Sequence, residues 1–129
     1  MQFQITTDYA IRIIHYLHQQ NRLSTAISAS QDLGISYQYY AKVINRLKQA
    51  KLVDSVQGRN GGYQLARPAN EISLYDIICA MEGDVKINRC LVDGFCSRNA
   101  TDNCPVHDIF ADLQQKFVKE LSNHFVSEL

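Results

Sequence analysis

Cys90, Cys96 and Cys104 fall within fifteen residues of one another and are followed by His107, in the order C-x5-C-x7-C-x2-H. Thiolates are soft ligands that suit iron–sulfur clusters and zinc. The residues between them are flexible turn formers that let a short loop wrap a metal. Zinc sites usually pair their ligands at C-x2-4-C, a spacing absent here, whereas a cluster is larger and accepts wider separations. Spacing alone leaves three readings open: a cluster, zinc, or unliganded thiols able to form a redox disulfide. The fourth cysteine, Cys79, sits among Ile77, Ile78, Ala80 and Met81, where a small apolar thiol reads as core. His15, His18 and His124 have no partner at ligand spacing and read as solvated helix residues. We find no phosphate-binding glycine loop, catalytic-triad spacing or carboxylate pair with an enzyme's geometry, so the sequence reads as a non-enzyme.

Elements with recognisable punctuation surround the cysteines. Ile5-Thr6-Thr7-Asp8 offers N-cap candidates ahead of an amphipathic helix in which Ala10, Ile13, Ile14 and Leu17 recur at helical spacing, ending near Asn21. Ser24-Thr25 caps a short helix to about Leu33, and Gly34 stops it. Ser36 then caps a helix from Tyr37 to about Ala50, with Tyr40, Val43, Ile44 and Leu47 on one face and Gln38, Lys42, Arg46 and Lys48 largely off it. Two helices around a tight glycine turn outline a helix-turn-helix, whose second helix can enter a major groove. Leu52–Val56 and Gly62–Ala66 read as strands around Gln57-Gly58-Arg59-Asn60-Gly61, a glycine-rich hairpin with arginine at its tip. The whole reads as a winged helix.

Ser73 with Asp76 makes a capping box for a helix from Leu74 to about Glu82. Residues 83–103 have no sustained periodicity, and an unordered loop of this length is uncommon in a small domain unless something such as a metal orders it. Pro105 opens a long helix running to the C-terminus. Its apolar residues Ile109, Leu113, Phe117, Leu121 and Phe125 step by four, a stripe broad enough to pack on another subunit. The expected fold is mainly α with a small β-hairpin wing. It divides into a winged helix-turn-helix domain (1–82), a cysteine-rich cluster-binding loop (83–104) and a dimerisation helix (105–129).

The 129 residues, 46% hydrophobic and 20% charged, suit one globular domain. The formal charge is zero, but residues 1–70 hold eight basic and three acidic side chains, and residues 71–129 hold five basic and ten acidic. A basic working end joined to an acidic remainder points to nucleic acid as partner, and argues against an iron–sulfur electron carrier. No apolar run approaches the length of a membrane span, and the N-terminus has no signal-peptide pattern. The expected location is the cytoplasm, without a membrane partner.

With these residues in view, the chain resembles the IscR/NsrR-type winged-helix regulators, also called the Rrf-two family. The resemblance is carried by Thr7-Asp8-Tyr9-Ala10, Gly34-Ile35-Ser36, Gly58-Arg59-Asn60-Gly61-Gly62-Tyr63, Ser73-Leu74-Tyr75-Asp76-Ile77-Ile78, and the three-cysteine loop before a long last helix. It implies a homodimeric regulator, chiefly a repressor, of a pseudo-palindromic double-stranded DNA operator. It also implies an iron–sulfur cluster, two-iron or four-iron, sensing nitric oxide, redox state, or iron or cluster supply. The implied ligands are Cys90, Cys96 and Cys104, with a fourth from His107, as in the cluster-biogenesis regulators with their two-iron cluster, or from Asp8, supplied across the dimer as in the nitric-oxide sensors with their four-iron cluster. The second spacing, x7, is longer than the x5 common in both groups. The alternative is a cluster-free member governed by a protein partner or by thiol oxidation. The candidate DNA contacts are Ser36, Tyr37, Gln38, Tyr39, Lys42 and Arg46 on the recognition helix and Arg59 and Asn60 on the wing. Gln57 stands where the family commonly has an arginine, so either Arg59 takes the minor-groove role or that contact is weaker.

Overall fold

Gln4 leads the chain into helix α1, Ile5–Gln20, whose inward side is Ala10, Ile13, Ile14 and Leu17. The helix begins earlier than the capping pattern suggests. Thr6, Thr7 and Asp8 lie inside its first turn, and the Thr7 hydroxyl is buried and bonded to Glu82. The computed structural model describes residues 2–92, 96 and 104–129.

Helix α2, Ala26–Leu33, is capped by the Thr25 hydroxyl, which accepts from the Ser28 N–H at 3.1 Å. It ends at Gly34, whose left-handed backbone (φ 66°) suits glycine. Helix α3, Tyr37–Gln49, follows after a one-turn gap, capped by Ser36, and buries Tyr40, Val43, Ile44 and Leu47 as the spacing predicts. The Tyr16 hydroxyl donates to Asp32 at 2.7 Å and so fastens α1 to α2.

Strands β1, Val53–Val56, and β2, Gly62–Leu65, pair antiparallel with Val53 opposite Leu65 and Val56 opposite Gly62. Gly61 is required in the connection, because a Cβ there would stand 2.1 Å from the Val56 carbonyl oxygen. Ser24 and Tyr63 exchange two main-chain hydrogen bonds, 2.9 and 2.8 Å. The residue before the α2 cap therefore extends the hairpin and fixes the wing against the helix-turn-helix.

Helix α4, Leu74–Glu82, carries the expected capping box: Ser73 Oγ accepts from the Asp76 N–H, and the Asp76 carboxylate accepts from the Ser73 N–H. Helix α5, Pro105–Ser122, opens on its proline but stops short of the C-terminus. Phe125 bridges to Ser73, the Val126 N–H donates to the Ile72 carbonyl at 2.9 Å, and the Val126 side chain is fully buried. The expected helix to the chain end is thus replaced by a returning tail, since Val126 gains more by entering the core than by extending a stripe. The core is built from α1 to α4, Leu52, Val53, Ile72 and Val126, while no residue of α5 is buried. No helix is long and apolar enough to cross a membrane.

Candidate nucleic-acid interface and cysteine loop

Helix α3 hides its apolar face and turns Gln38 and Lys42 to solvent. Asn45, absent from the sequence-derived set, is also exposed, and its i, i+4, i+7 relation to Gln38 and Lys42 puts the three in one row. That spacing was the available signal. At the helix start, Tyr37 is 56% exposed, and Tyr39 is half exposed with its ring edge-on to Tyr9 of α1, centroids 5.9 Å apart. The Ser36 oxygen accepts from the Tyr39 N–H at 3.3 Å, which leaves the Ser36 hydroxyl proton to donate outward. Tyr40 is core, and burial pushes its hydroxyl pKa well up. Arg46 does not extend freely like Lys42: its Nη1 donates to the Met81 carbonyl at 2.9 Å.

The wing tip is a four-residue turn closed by the Gly61 N–H on the Gly58 carbonyl at 3.0 Å, with Arg59 and Asn60 at its two central, exposed positions. Cationic and amide donors on one helix face and one hairpin tip match the polyanionic and base-edge chemistry of a duplex.

The cysteine loop leaves α4 at Gly83 and returns at α5. Its first half is held to α5 by Gln114, whose side-chain oxygen accepts from the Ile87 N–H at 2.9 Å. Cys90 sits in a single 3-10 turn, Arg89–Leu91, with its sulfur accepting from Asn88 Nδ2 at 3.0 Å. Cys104 is the N-cap residue of α5 and His107 lies three residues on, so both occupy one face of its first turn. None of the cysteines is in a disulfide, and all four are half-buried. Among the described residues, no group of three or more His, Cys, Asp or Glu stands together as a metal-holding set.

The two fourth-ligand candidates are placed differently. His107 Nδ1 lies 3.5 Å from the Asp108 carboxylate, at the same helix end as Cys104. Asp8 pairs with Arg12 at 2.8 Å on the surface of α1. The donor types fit a thiolate-held centre; His107 shares the first turn of α5 with Cys104, and Asp8 stands on the surface of α1. Cys79, expected in the core, is only half-buried; the hydrogen bond from Tyr75, one turn earlier, and partial burial push the tyrosine pKa up to about 12.

Three solved structures share this fold, as their TM-scores and coverage show. CymR (YrzC), the global cysteine regulator of B. subtilis, is 20% identical with a TM-score of 0.81, over 98% of this chain and 94% of that one. T. potens IscR is 22% identical with a TM-score of 0.76, over 98% and 84%. The oxidised form of Staphylococcus aureus CymR is 23% identical with a TM-score of 0.72, over 98% and 93%. The profile of the Rrf2 family, described as iron-dependent transcriptional regulators, matches residues 3–129. A match of that extent, on a winged helix with its basic face outward, makes the chain a member of the Rrf2 family of DNA-binding transcriptional regulators, and not an enzyme.

Proposed function

We propose that the chain is a homodimeric repressor that lays α3 in the major groove of an operator half-site and the Arg59 wing in the adjacent minor groove, with the cysteine loop as its sensor. The observation that carries this reading is the outward row Gln38, Lys42, Asn45 together with the exposed Arg59 tip, on a scaffold whose other α3 face is fully buried. Ser36, Tyr37, Tyr39 and Asn60 flank that row and complete the contact set. In this scheme residues 1–82 bind DNA, 83–104 sense and 105–129 dimerise. The outer side of α5, where Val106, Ile109 and Leu113 are exposed, supplies an apolar stripe for a second copy.

An iron–sulfur cluster held by Cys90, Cys96, Cys104 and His107 would give the loop reactivity toward nitric oxide, oxidants and iron shortage. Gln114 then fixes the loop's first half to α5 while Gly83 joins it to α4, so the loop's conformation bears on the angle between the dimer helix and the winged domain. A second reading is a cluster-free regulator switched by thiol oxidation or by a protein partner. It is favoured by an oxidised CymR among the structural neighbours.

One experiment separates the two. Anaerobically purified protein should be coloured, with visible absorbance lost in Cys96→Ala and altered in His107→Ala but kept in Asp8→Ala. Its affinity for a selected operator should differ between cluster-loaded and cluster-free forms, by a coupling of about 1–3 kcal/mol. Colourless protein that also fails to take up a cluster on anaerobic reconstitution would leave the thiol or partner reading, and equal affinities would remove the cluster as signal.

A further inference from the structure

The last turn of α4 touches two other helices through adjacent residues. Arg46 of α3 donates from Nη1 to the Met81 carbonyl at 2.9 Å. One residue on, the Glu82 carboxylate accepts from the Gln4 N–H and from the Thr7 hydroxyl, each at 2.7 Å. Two of these three bonds, those of Met81 and Gln4, satisfy main-chain groups that a helix end leaves in want of a partner. Met81 O is among the last carbonyls of α4, at the negative end of its dipole, where a guanidinium is favoured. Glu82 brings a negative charge to the positive N-terminus of α1, whose N-cap residue Gln4 makes no side-chain cap of its own. Thr7 is fully buried, so its hydroxyl is not itself a DNA contact. Tyr9 of α1 also packs edge-on against Tyr39 of α3.

We infer that Arg46 and Glu82 are positioning residues for DNA binding: Arg46 holds the recognition helix against the end of α4 instead of meeting a phosphate, and Glu82 ties that end to the start of α1. The three helices are thereby set at one junction, and Gly83 carries the chain from that junction straight into the cysteine loop. The assignment rests on α3 being the element that meets DNA. It reverses the simplest reading of Arg46, a basic side chain on the recognition helix.

A duplex selected by the wild-type protein from random sequence serves as probe, with affinity measured across a range of salt concentrations. Lys42→Ala is the reference for a phosphate contact and should lower the slope of log K against log salt by about one. Arg46→Met, of similar length but without charge or donor, and Thr7→Val, which deletes only the buried hydroxyl, should each weaken binding by about two- to tenfold with the slope unchanged. The double variant should lose less than the product of the two, since both loosen one junction. A slope lowered by about one in Arg46→Met would make it a phosphate contact and overturn the inference. So would unchanged affinity in Thr7→Val, or strictly multiplicative losses. If Arg46→Met fails to fold, Thr7→Val decides alone, with its circular dichroism and melting temperature showing that the fold persists. Failure of Lys42→Ala and Arg59→Ala to alter affinity would instead remove the reading of α3 and the wing as the DNA-binding surface.

Discussion

Arg59 and Lys42 are both exposed cations, yet their settings give them different work. Arg59 stands at the central position of a tight turn that glycines hold narrow, and a guanidinium on so thin a tip suits a narrow minor groove, where negative potential is concentrated. Lys42 lies on the flank of α3 as a flexible point charge suited to a phosphate. Arg59→Ala should therefore weaken operator binding by about 1–3 kcal/mol and relax the preference for A/T at the outer positions. Lys42→Ala should weaken all duplexes alike and lower the salt slope. Binding titrations on matched and outer-substituted duplexes at two salt concentrations check both, and identical behaviour would mean the roles are misassigned. These side chains were legible in the sequence because each sits beside its own punctuation: Ser36 before the helix, Gly58 and Gly61 around the tip. Glu82 was not. Its partners Gln4 and Thr7 lie more than seventy residues away along the chain, and no local pattern reports a bond of that separation.

At the scale of elements, caps and buried faces were the most legible features and the end of α5 the least. Thr25, Ser36 and Ser73 all cap as their positions suggest. Past Leu121 the step of four continues through Phe125 with no glycine or proline to interrupt it, so periodicity alone extends the helix. The core decides otherwise, drawing Val126 against Ile72. Val126→Ala should consequently cost about 1–3 kcal/mol of stability, measured by denaturant unfolding; a change within experimental error would fit a solvent-facing helix end instead. The returning tail also carries a charged clip, in which His124 bonds Glu120 at 2.9 Å and Glu128 at 3.1 Å. Hydrogen bonds to Glu120 and then Glu128 raise the His124 pKa, so its contribution is complete below the unfolded value of about 6.5 and fades as pH rises through the folded one. Glu128 is shifted down by His124, so its contribution is complete above its unfolded value of 4.5 and fades as pH falls through the folded one. The tail should hold best between roughly pH 4.5 and 6.5. His124→Gln should flatten the pH dependence of amide exchange at Val126; a profile identical to wild type would detach the clip from tail docking.

For the whole molecule, the division of charge acquires a spatial meaning. The basic half builds the helix-turn-helix and wing, while the acidic half builds α4, the loop and α5, so the positive charge is gathered on the elements that meet DNA. What the sequence could not supply is the tie between the cysteine loop and α5, because the hydrogen bond from the Ile87 N–H to Gln114 spans 27 residues and no local period reports it. The apolar stripe of α5 was visible, but its inner and outer sides were not distinguishable. Phe117 stacks on Phe3 within the same chain, centroids 6.4 Å apart, and so belongs partly to the protomer. Ile109 is 60% exposed, and with Val106 and Leu113 it forms the outer side of a helix on which nothing is buried. A charge at Phe117 would therefore disturb the protomer's own packing, whereas a charge at Ile109 tests the assembly alone. In a dimer closed through α5, Ile109→Asp places an unpaired carboxylate in an apolar interface, a loss of several kcal/mol that association of ordinary strength does not survive. Sedimentation should then show a monomer with unaltered circular dichroism, and with weaker operator binding because two half-sites are no longer engaged together. A variant that sediments as the wild-type dimer would place the subunit contact elsewhere than on the outer side of α5.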